Sequence, residues 1–483
     1  MVFSSIIFLF GFLPLVVVVY FAINLKLRNF WILLVSIFFY WWGESSFLWV
    51  ILFSAIINYV FALILSNGWR VWEKPDILKT KNNHHHVILV ISIICNLGIL
   101  IYFKYTNWIV AGIGELFSKN LNSNIILPLG ISFFTFQGMS YVIDVYRGEV
   151  EATRDFIDYA AFFSMFPQLV AGPIVRYSQV SEELKSRDIT LNKFTLGIKR
   201  FIIGLSKKVI VANTVAVVAD SVFALPANEL TTSLSWLGII AYTIQIYFDF
   251  SGYSDMAIGM GLMFGFHFPE NFRHPYASQN IREFWQRWHI SLSSWFRDYL
   301  YFPLGGSKGT FFKTSRNLMI IFLLCGLWHG ASWSFVVWGV WHGMFLMLER
   351  VKFFKLFLQL LPRPFKHIYL LIIVMGGWIL FRADTLTYAV EYFKACVGFA
   401  DGNGYLLPVG QIMTPYVWII TIVGVIGGFP VINYIDNKTK LITNSMSAQL
   451  IRISGSLMLL FLLLSSIAEL FASSYNPFIY FRF

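Results

Sequence analysis

Two histidines stand out in this chain as groups able to move a proton. Trp328-His329-Gly330-Ala331-Ser332-Trp333 lies between the apolar runs Leu318–Gly326 and Val336–Leu348, which puts His329 at membrane depth. Ionisable side chains there are costly and mark functional sites by default. A neutral imidazole, with an ordinary pKa of about 6.5, can take a proton from a hydroxyl. Gly330 carries no side chain, so the sequence allows a substrate to come close to the ring. The competing reading is a histidine bonded to a neighbouring helix, and periodicity alone leaves both open. His342 sits in a second Trp-His-Gly, Trp341–Gly343. On one continuous helix it would face nearly opposite to His329, which assigns it a structural role.

His289 belongs to the stretch Glu283–Asp298. Read as one helix, Trp285, Trp288, Leu292 and Trp295 form an aromatic stripe. His289, Ser293 and Arg297, four residues apart, form a polar line beside it. Such a stripe is more often packing than a binding surface, whereas the polar line is unusual in so apolar a protein. Tyr247–Asp255 ends an apolar run with Asp249 and Asp255, and Pro269–Phe272 carries Glu270 and Asn271. Helix capping and internal ion pairs explain both clusters. Cys95, Cys325 and Cys396 have no metal or redox spacing and read as packing residues. His84–His86 reads as a solvated loop end rather than a metal site.

The elements that must hold these residues are membrane helices. Of 483 residues, 57% are hydrophobic and only 13% charged, against about 25% charged in soluble domains. Ile6–Ile23, Phe47–Leu65, Val87–Phe103, Ile368–Phe381, Val417–Ile432 and Ile453–Phe471 approach the roughly 20 residues that cross a bilayer. Phe30–Trp42, Phe201–Val218 and Leu237–Phe250 are shorter, as expected of tilted or re-entrant helices. The fold class is therefore all-α and polytopic, with about ten to twelve membrane helices. Met1–Phe12 has no basic residue before its apolar run and reads as a retained first span. The net charge of +11 is spread over membrane-edge loops, which speaks against nucleic acid and for membrane lipid as the partner. Basic loops at Lys26–Arg28, Arg70–Lys81, Arg350–Lys366 and Lys438–Arg452 alternate with base-poor turns, an arrangement that places both termini outside. No linker or internal repeat divides residues 1–483, so a single membrane domain is expected, with its chemistry in the middle third, 127–348. Within that third, Arg176–Lys208 has the mixed pattern of an amphipathic helix pair on the cytoplasmic surface.

The ordered set of motifs resembles the membrane-bound O-acyltransferase family, and within it the branch that acetylates alginate. It runs from Met1–Ser5 through Leu127–Phe133, Phe166–Ile174, Tyr247–Asp255, Glu283–Asp298 and Trp328–Gly330 to the tail Ser474–Phe483, nearly the whole chain. The resemblance implies that His329 is the essential histidine and that His289 matches the second important histidine of the teichoic-acid D-alanylation transferases. It also implies a ring of helices with opposed funnels meeting near His329. On this basis His329 acts as base for a hydroxyl attacking an acyl thioester. Acetyl-CoA is the donor substrate, directly or through a carrier, and neither a bound cofactor nor a metal is called for. The tail is similar to that of the small partner protein in teichoic-acid D-alanylation, which makes Tyr480 an acyl carrier; without the resemblance it reads as an aromatic membrane anchor. The final acceptor is an exported polysaccharide, reached through an SGNH-type periplasmic or surface acetyltransferase, and the location is the bacterial cytoplasmic membrane. Close alternatives are D-alanyl or acetyl transfer to teichoic acid, cellulose or peptidoglycan. A transporter with buried titratable groups is the alternative of another class.

Overall fold

Backbone inside a bilayer must satisfy its own N–H and C=O groups, and the chain meets that demand with helices. A computed structural model describes residues 2–66, 83–119, 121, 123–170, 172–399, 402, 404, 406–431, 445–473 and 475–479, with no strand among them. By length and composition, six of its helices can cross a membrane, and three shorter apolar helices join them. The chain is a multi-pass membrane protein. The expected loop Arg70–Lys81, the basic Lys438 and Lys440, and Tyr480 and Phe483 lie outside the described residues.

Contacts group the chain into two compact units, Met1–Ile198 with Ala257–Pro269, and Lys199–Met256 with Glu270–Phe483. The first unit contains α1 (Phe8–Ala22), α2 (Arg28–Gly43), α3 (Ser45–Leu65), α4 (Asn83–Leu116), α5 (Ile131–Arg147), α6 (Phe156–Ser164) and α7 (Tyr177–Lys185). Helix α5 is buried from Ile131 to Val145, so it forms that unit's core. Asn58 of α3 and Asn96 of α4 exchange amide hydrogen bonds of 3.0 and 2.9 Å, the kind of polar contact that joins helices in lipid. His84–His86 form the first turn of α4 rather than a loop end, with His84 and His86 exposed.

Helix α8 (Leu191–Phe223) corrects one expectation. Its beginning had the look of half of a surface helix pair, but apolar residues persist through Val222 and make one helix of 33 residues. Within it, Lys207–Ala212 adopt a π-helical turn. Helix α9 (Thr232–Phe264) approaches α8 closely in the second unit. A Cβ on Gly204 would lie 2.5 Å from the Gly252 carbonyl oxygen, and one on Gly252 would lie 2.7 Å from that of Gly204. Only glycine permits this crossing. The second unit continues with α10 (Ile281–Arg287), α11 (Ile290–Phe296), α12 (Phe311–His329) and α13 (Trp333–Leu348). It ends with α14 (Lys352–Leu360), α15 (Arg363–Arg382), α16 (Leu386–Cys396), α17 (Pro415–Gly427) and α18 (Ser445–Ala472). Helices α12 and α13 pack as a hairpin turned at Gly330–Ser332.

Candidate active site

His329 is the last residue of α12, and its side chain is buried at 5% exposure. Three aromatic rings enclose it. Trp328 lies 4.9 Å away by ring centroid, Trp338 of α13 5.1 Å and Phe381 of α15 5.1 Å, all edge-on. An imidazole held in apolar walls is shielded from water, so a proton it accepts is not lost to solvent. The space beside Gly330 is already filled. A Cβ there would lie 2.1 Å from the Phe335 ring, so this glycine admits a phenylalanine of the hairpin rather than a substrate.

A break that the helical spacing conceals places His289 against Trp328, whose ring also meets His329. Residues 283–298 form two short helices, α10 and α11, and His289 sits between them with φ 44° and ψ 55°. The left-handed region costs a non-glycine residue about 1–3 kcal/mol, and such strain gathers at functional sites. Asn271 holds the turn. Its Oδ1 accepts from the Ser291 N–H at 3.2 Å and the Ser291 hydroxyl at 2.9 Å, and lies 3.2 Å from His289 Nδ1. Its backbone carbonyl accepts from the Ile290 N–H at 2.9 Å. A backbone N–H can only donate, so the atom facing Ser291 must be the amide oxygen. His289 Nδ1 therefore carries a proton towards it, and Nε2 is the basic nitrogen. The break also dissolves the expected polar line. Ser293 turns back to the Trp288 carbonyl at 3.4 Å, and Arg297 is exposed and paired with Asp298 at 2.7 Å. The four residues of the expected aromatic stripe are buried, though they lie on either side of the break at His289.

Trp328 links the two histidines, with its ring centroid 6.0 Å from His289 and 4.9 Å from His329. His342 lies behind Trp338, 5.0 Å from that ring and 5.0 Å from Trp285. The argument that put it on the far face of one helix fails, because the hairpin turn separates α12 from α13. It is fully buried, and neither ring nitrogen has a hydrogen-bond partner among the described residues. A Cβ on Gly377 would lie 2.4 Å from His342 Nε2, so the imidazole fills a notch in α15.

Two routes lead towards this cluster. One is a cavity of about 1130 Å³ whose inner wall includes Trp285, Phe322 and Cys325. Exposed Arg282, Arg297, Arg350 and Lys355 give its rim a positive charge. Trp285 touches both His342 and Trp338, and Trp338 touches His329, so one aromatic layer separates the cavity from the base. The other route is taken by the C-terminal segment. Asp249, one residue before the Phe250 ring that meets His289 edge-on at 4.7 Å, accepts from the Ile479 N–H at 2.9 Å. The expected internal ion pair at Asp249 is present, with Lys208 at 2.7 Å, but its bond to the C-terminal segment was missed by sequence reasoning. The signal it passed over was a lysine pair, Lys207 and Lys208, inside an apolar run that must face acids somewhere. For Asp255 the bland reading is right, since it pairs with Arg200 and Lys207, each at 2.7 Å.

The routes arrive from opposite ends of α15, which is about 30 Å long by helical rise. Lys366, near its start, lines the cavity. Arg382, at its end, pairs at 2.7 Å with Asp220, which also accepts from the Tyr475 hydroxyl.

The described residues thus bring two buried histidines against one tryptophan in an all-helical membrane protein. The chain belongs to the membrane-bound O-acyltransferase family, which matches residues 37–381, and it is an O-acyltransferase. It is similar over its full length to probable alginate O-acetylases. That of Azotobacter vinelandii is 39% identical over 516 residues and that of Pseudomonas putida 41% over 501, each alignment covering 100% of both chains. The peptidoglycan O-acetyltransferase of Helicobacter pylori is 32% identical over 433 residues, covering 82% of this chain and 80% of that one.

Proposed function

We propose that the chain passes acetyl groups from a cytoplasmic thioester to the outside of the cell for O-acetylation of an exported polysaccharide, alginate or a polymer like it. The full-length similarity to alginate O-acetylases supports the acyl group and the polymer. The observation that carries the reading is the pair of features at opposite ends of α15: a basic-rimmed cavity lined by Lys366 near its start, and a C-terminal segment whose Tyr475 shares Asp220 with Arg382 at its end. A cavity with a cationic mouth and apolar floor suits acetyl-CoA, whose phosphates stay at the arginines while the thioester arm extends inward. The loop Arg350–Lys366 at that mouth is the one whose charge assigns it to the cytoplasm.

In the reaction, His329 takes the proton of an attacking hydroxyl as its oxygen bonds to the thioester carbonyl carbon. The carbon–sulfur bond breaks, and the imidazolium returns its proton to the leaving thiolate. A well-placed base contributes roughly 10²–10⁴-fold. His289, its Nδ1–H directed at Asn271, offers Nε2 to orient the reacting group. The hydroxyl is that of Tyr480, one residue beyond the anchored Ile479. A phenol of pKa about 10 needs such a base to attack. The aryl ester then passes its acetyl to a serine of an SGNH-type partner and from there to the polymer. The test is Tyr480→Phe, which keeps the ring and removes only the hydroxyl. Loss of polymer acetylation with normal protein in the membrane is expected, and wild-type acetylation would exclude the relay.

A further inference from the structure

Lys208 and Asp249 form an ion pair of 2.7 Å between Lys208 Nζ and Asp249 Oδ1, both side chains at 2% exposure. Burying two charges costs several kcal/mol per ion before their attraction returns any of it, and an apolar pair often serves stability as well. Helix packing therefore does not explain this pair, and its remaining hydrogen bonds go to one place. Lys208 Nζ donates to the Pro477 carbonyl, and also to Asn213 Oδ1 at 2.8 Å. Asn213 Nδ2 donates to Asn476 Oδ1 at 3.2 Å. Asp249 Oδ2 accepts from the Ile479 N–H at 2.9 Å. Between these two main-chain contacts, the Phe478 ring stacks on Tyr253 at 4.6 Å. Phe478 and Ile479 are each 5% exposed, so this segment is enclosed in the helical unit.

The local folding of α8 and α9 serves this contact. Lys208 stands in the π-helical turn Lys207–Ala212, a distortion that recurs at functional sites because it re-aims side chains. A Cβ on Gly252 would lie 3.0 Å from the Lys208 backbone nitrogen, so glycine lets the turn come down beside Asp249. Non-helical backbone is tolerated at membrane depth only where protein satisfies it. Here the cation meets a carbonyl and the anion meets an N–H two residues along.

We propose that Lys208 and Asp249 are positioning residues that together form a receptor for the main chain of the C-terminal segment, holding residues 476–479 within the helical unit. The receptor recognises an Asn-Pro-aromatic-aliphatic backbone, with Tyr253 taking the aromatic side chain. This anchoring does not rest on the relay proposed above.

The experiment uses the full chain in lipid nanodiscs, which expose both faces, with Cys95, Cys325 and Cys396 replaced by alanine and Phe478→Cys as reporter. Maleimide labelling of this buried position reports release of the segment. Lys208→Met with Asp249→Leu removes both charges and keeps an apolar filling. Labelling should accelerate at least about tenfold, the scale of losing one hydrogen bond to a charged group. Lys208→Arg keeps the cation and should restore slow labelling. Ile479→Pro removes the single N–H that Asp249 accepts without altering the helices, so it covers the case in which the double variant does not fold; it too should label faster. Unchanged labelling in a folded double variant or in Ile479→Pro overturns the receptor, even if acetylation falls. Faster labelling upholds the receptor whether or not polymer acetylation changes, while the relay is judged separately by Tyr480→Phe.

Discussion

At the scale of single residues, the site depends on what each imidazole can do with its surroundings. His329 is enclosed by three rings, and the proposed reaction uses it as a proton acceptor placed where water is scarce. His329→Gln keeps a polar side chain without a usable base, and polymer acetylation should fall by roughly 10²–10⁴-fold while the protein reaches the membrane in normal amount. Asn271 acts through His289. Removing its side chain leaves the Ser291 N–H and hydroxyl and His289 Nδ1 without their common acceptor, and a strained left-handed turn loses its hold. Asn271→Ala should therefore impair transfer together with thermal stability, the latter by about 1–3 kcal/mol for buried donors left unsatisfied, read from unfolding in detergent. His342 presents the opposite case. Its nitrogens make no hydrogen bond among the described residues, so His342→Phe replaces one buried ring by another and should keep acetylation within a few-fold; a loss equal to that of His329→Gln would give His342 a part in the chemistry. The burial of His329 at a helix end was legible in the sequence, because Trp-His-Gly between apolar runs is a local pattern. Asn271 was not, because its effect appears only when a residue far along the chain turns at His289.

At the scale of elements, the features that the sequence hides are breaks and close approaches. The spacing of Trp285, Trp288, Leu292 and Trp295 fits one helix, and all four are buried, yet the backbone reverses character at His289 between α10 and α11. Periodicity reports which side chains are apolar, and a one-residue left-handed kink leaves that pattern intact. The same limit explains His342: two Trp-His-Gly repeats thirteen residues apart read as one helix until a turn at Gly330–Ser332 separates them. Glycine gave the weakest clue and had the largest structural effect. The crossing of α8 and α9 rests on Gly204 and Gly252, where any Cβ would meet backbone oxygen at 2.5 and 2.7 Å. Gly252→Ala has no soft side chain to displace, so overpacking should cost about 1–3 kcal/mol. Because that crossing sets Lys208 beside Asp249, this variant should also label faster at the Phe478→Cys reporter than the parent. A variant that lost stability without freeing the segment would separate helix packing from tail binding.

At the scale of the whole molecule, the membrane sets two sides, and the sequence read them from charge. Composition alone made the chain a polytopic helical protein, and helices long and apolar enough to cross bear this out. Hydropathy did not reveal which end of α15 receives which reactant, since that depends on side chains brought together from several helices. The cavity mouth carries Arg282, Arg350 and Lys355 near the start of α15, while Asp220, Arg382 and Tyr475 gather at its far end. Basic residues are retained on the cytoplasmic side, so the mouth should face the cytoplasm, and the point where the C-terminal segment enters should face outward. Single cysteines at Lys355 and Ser473, both exposed, test this in a background without Cys95, Cys325 and Cys396. In intact cells a membrane-impermeant maleimide should label Ser473→Cys and leave Lys355→Cys untouched; after permeabilisation both should react. A donor made in the cytoplasm and an acceptor outside need entrances on opposite faces, which is the arrangement a relay requires and a one-sided enzyme does not. Labelling of both cysteines from the outside would place cavity and segment on the same face, and the double approach to His329 would then no longer describe transfer across the membrane.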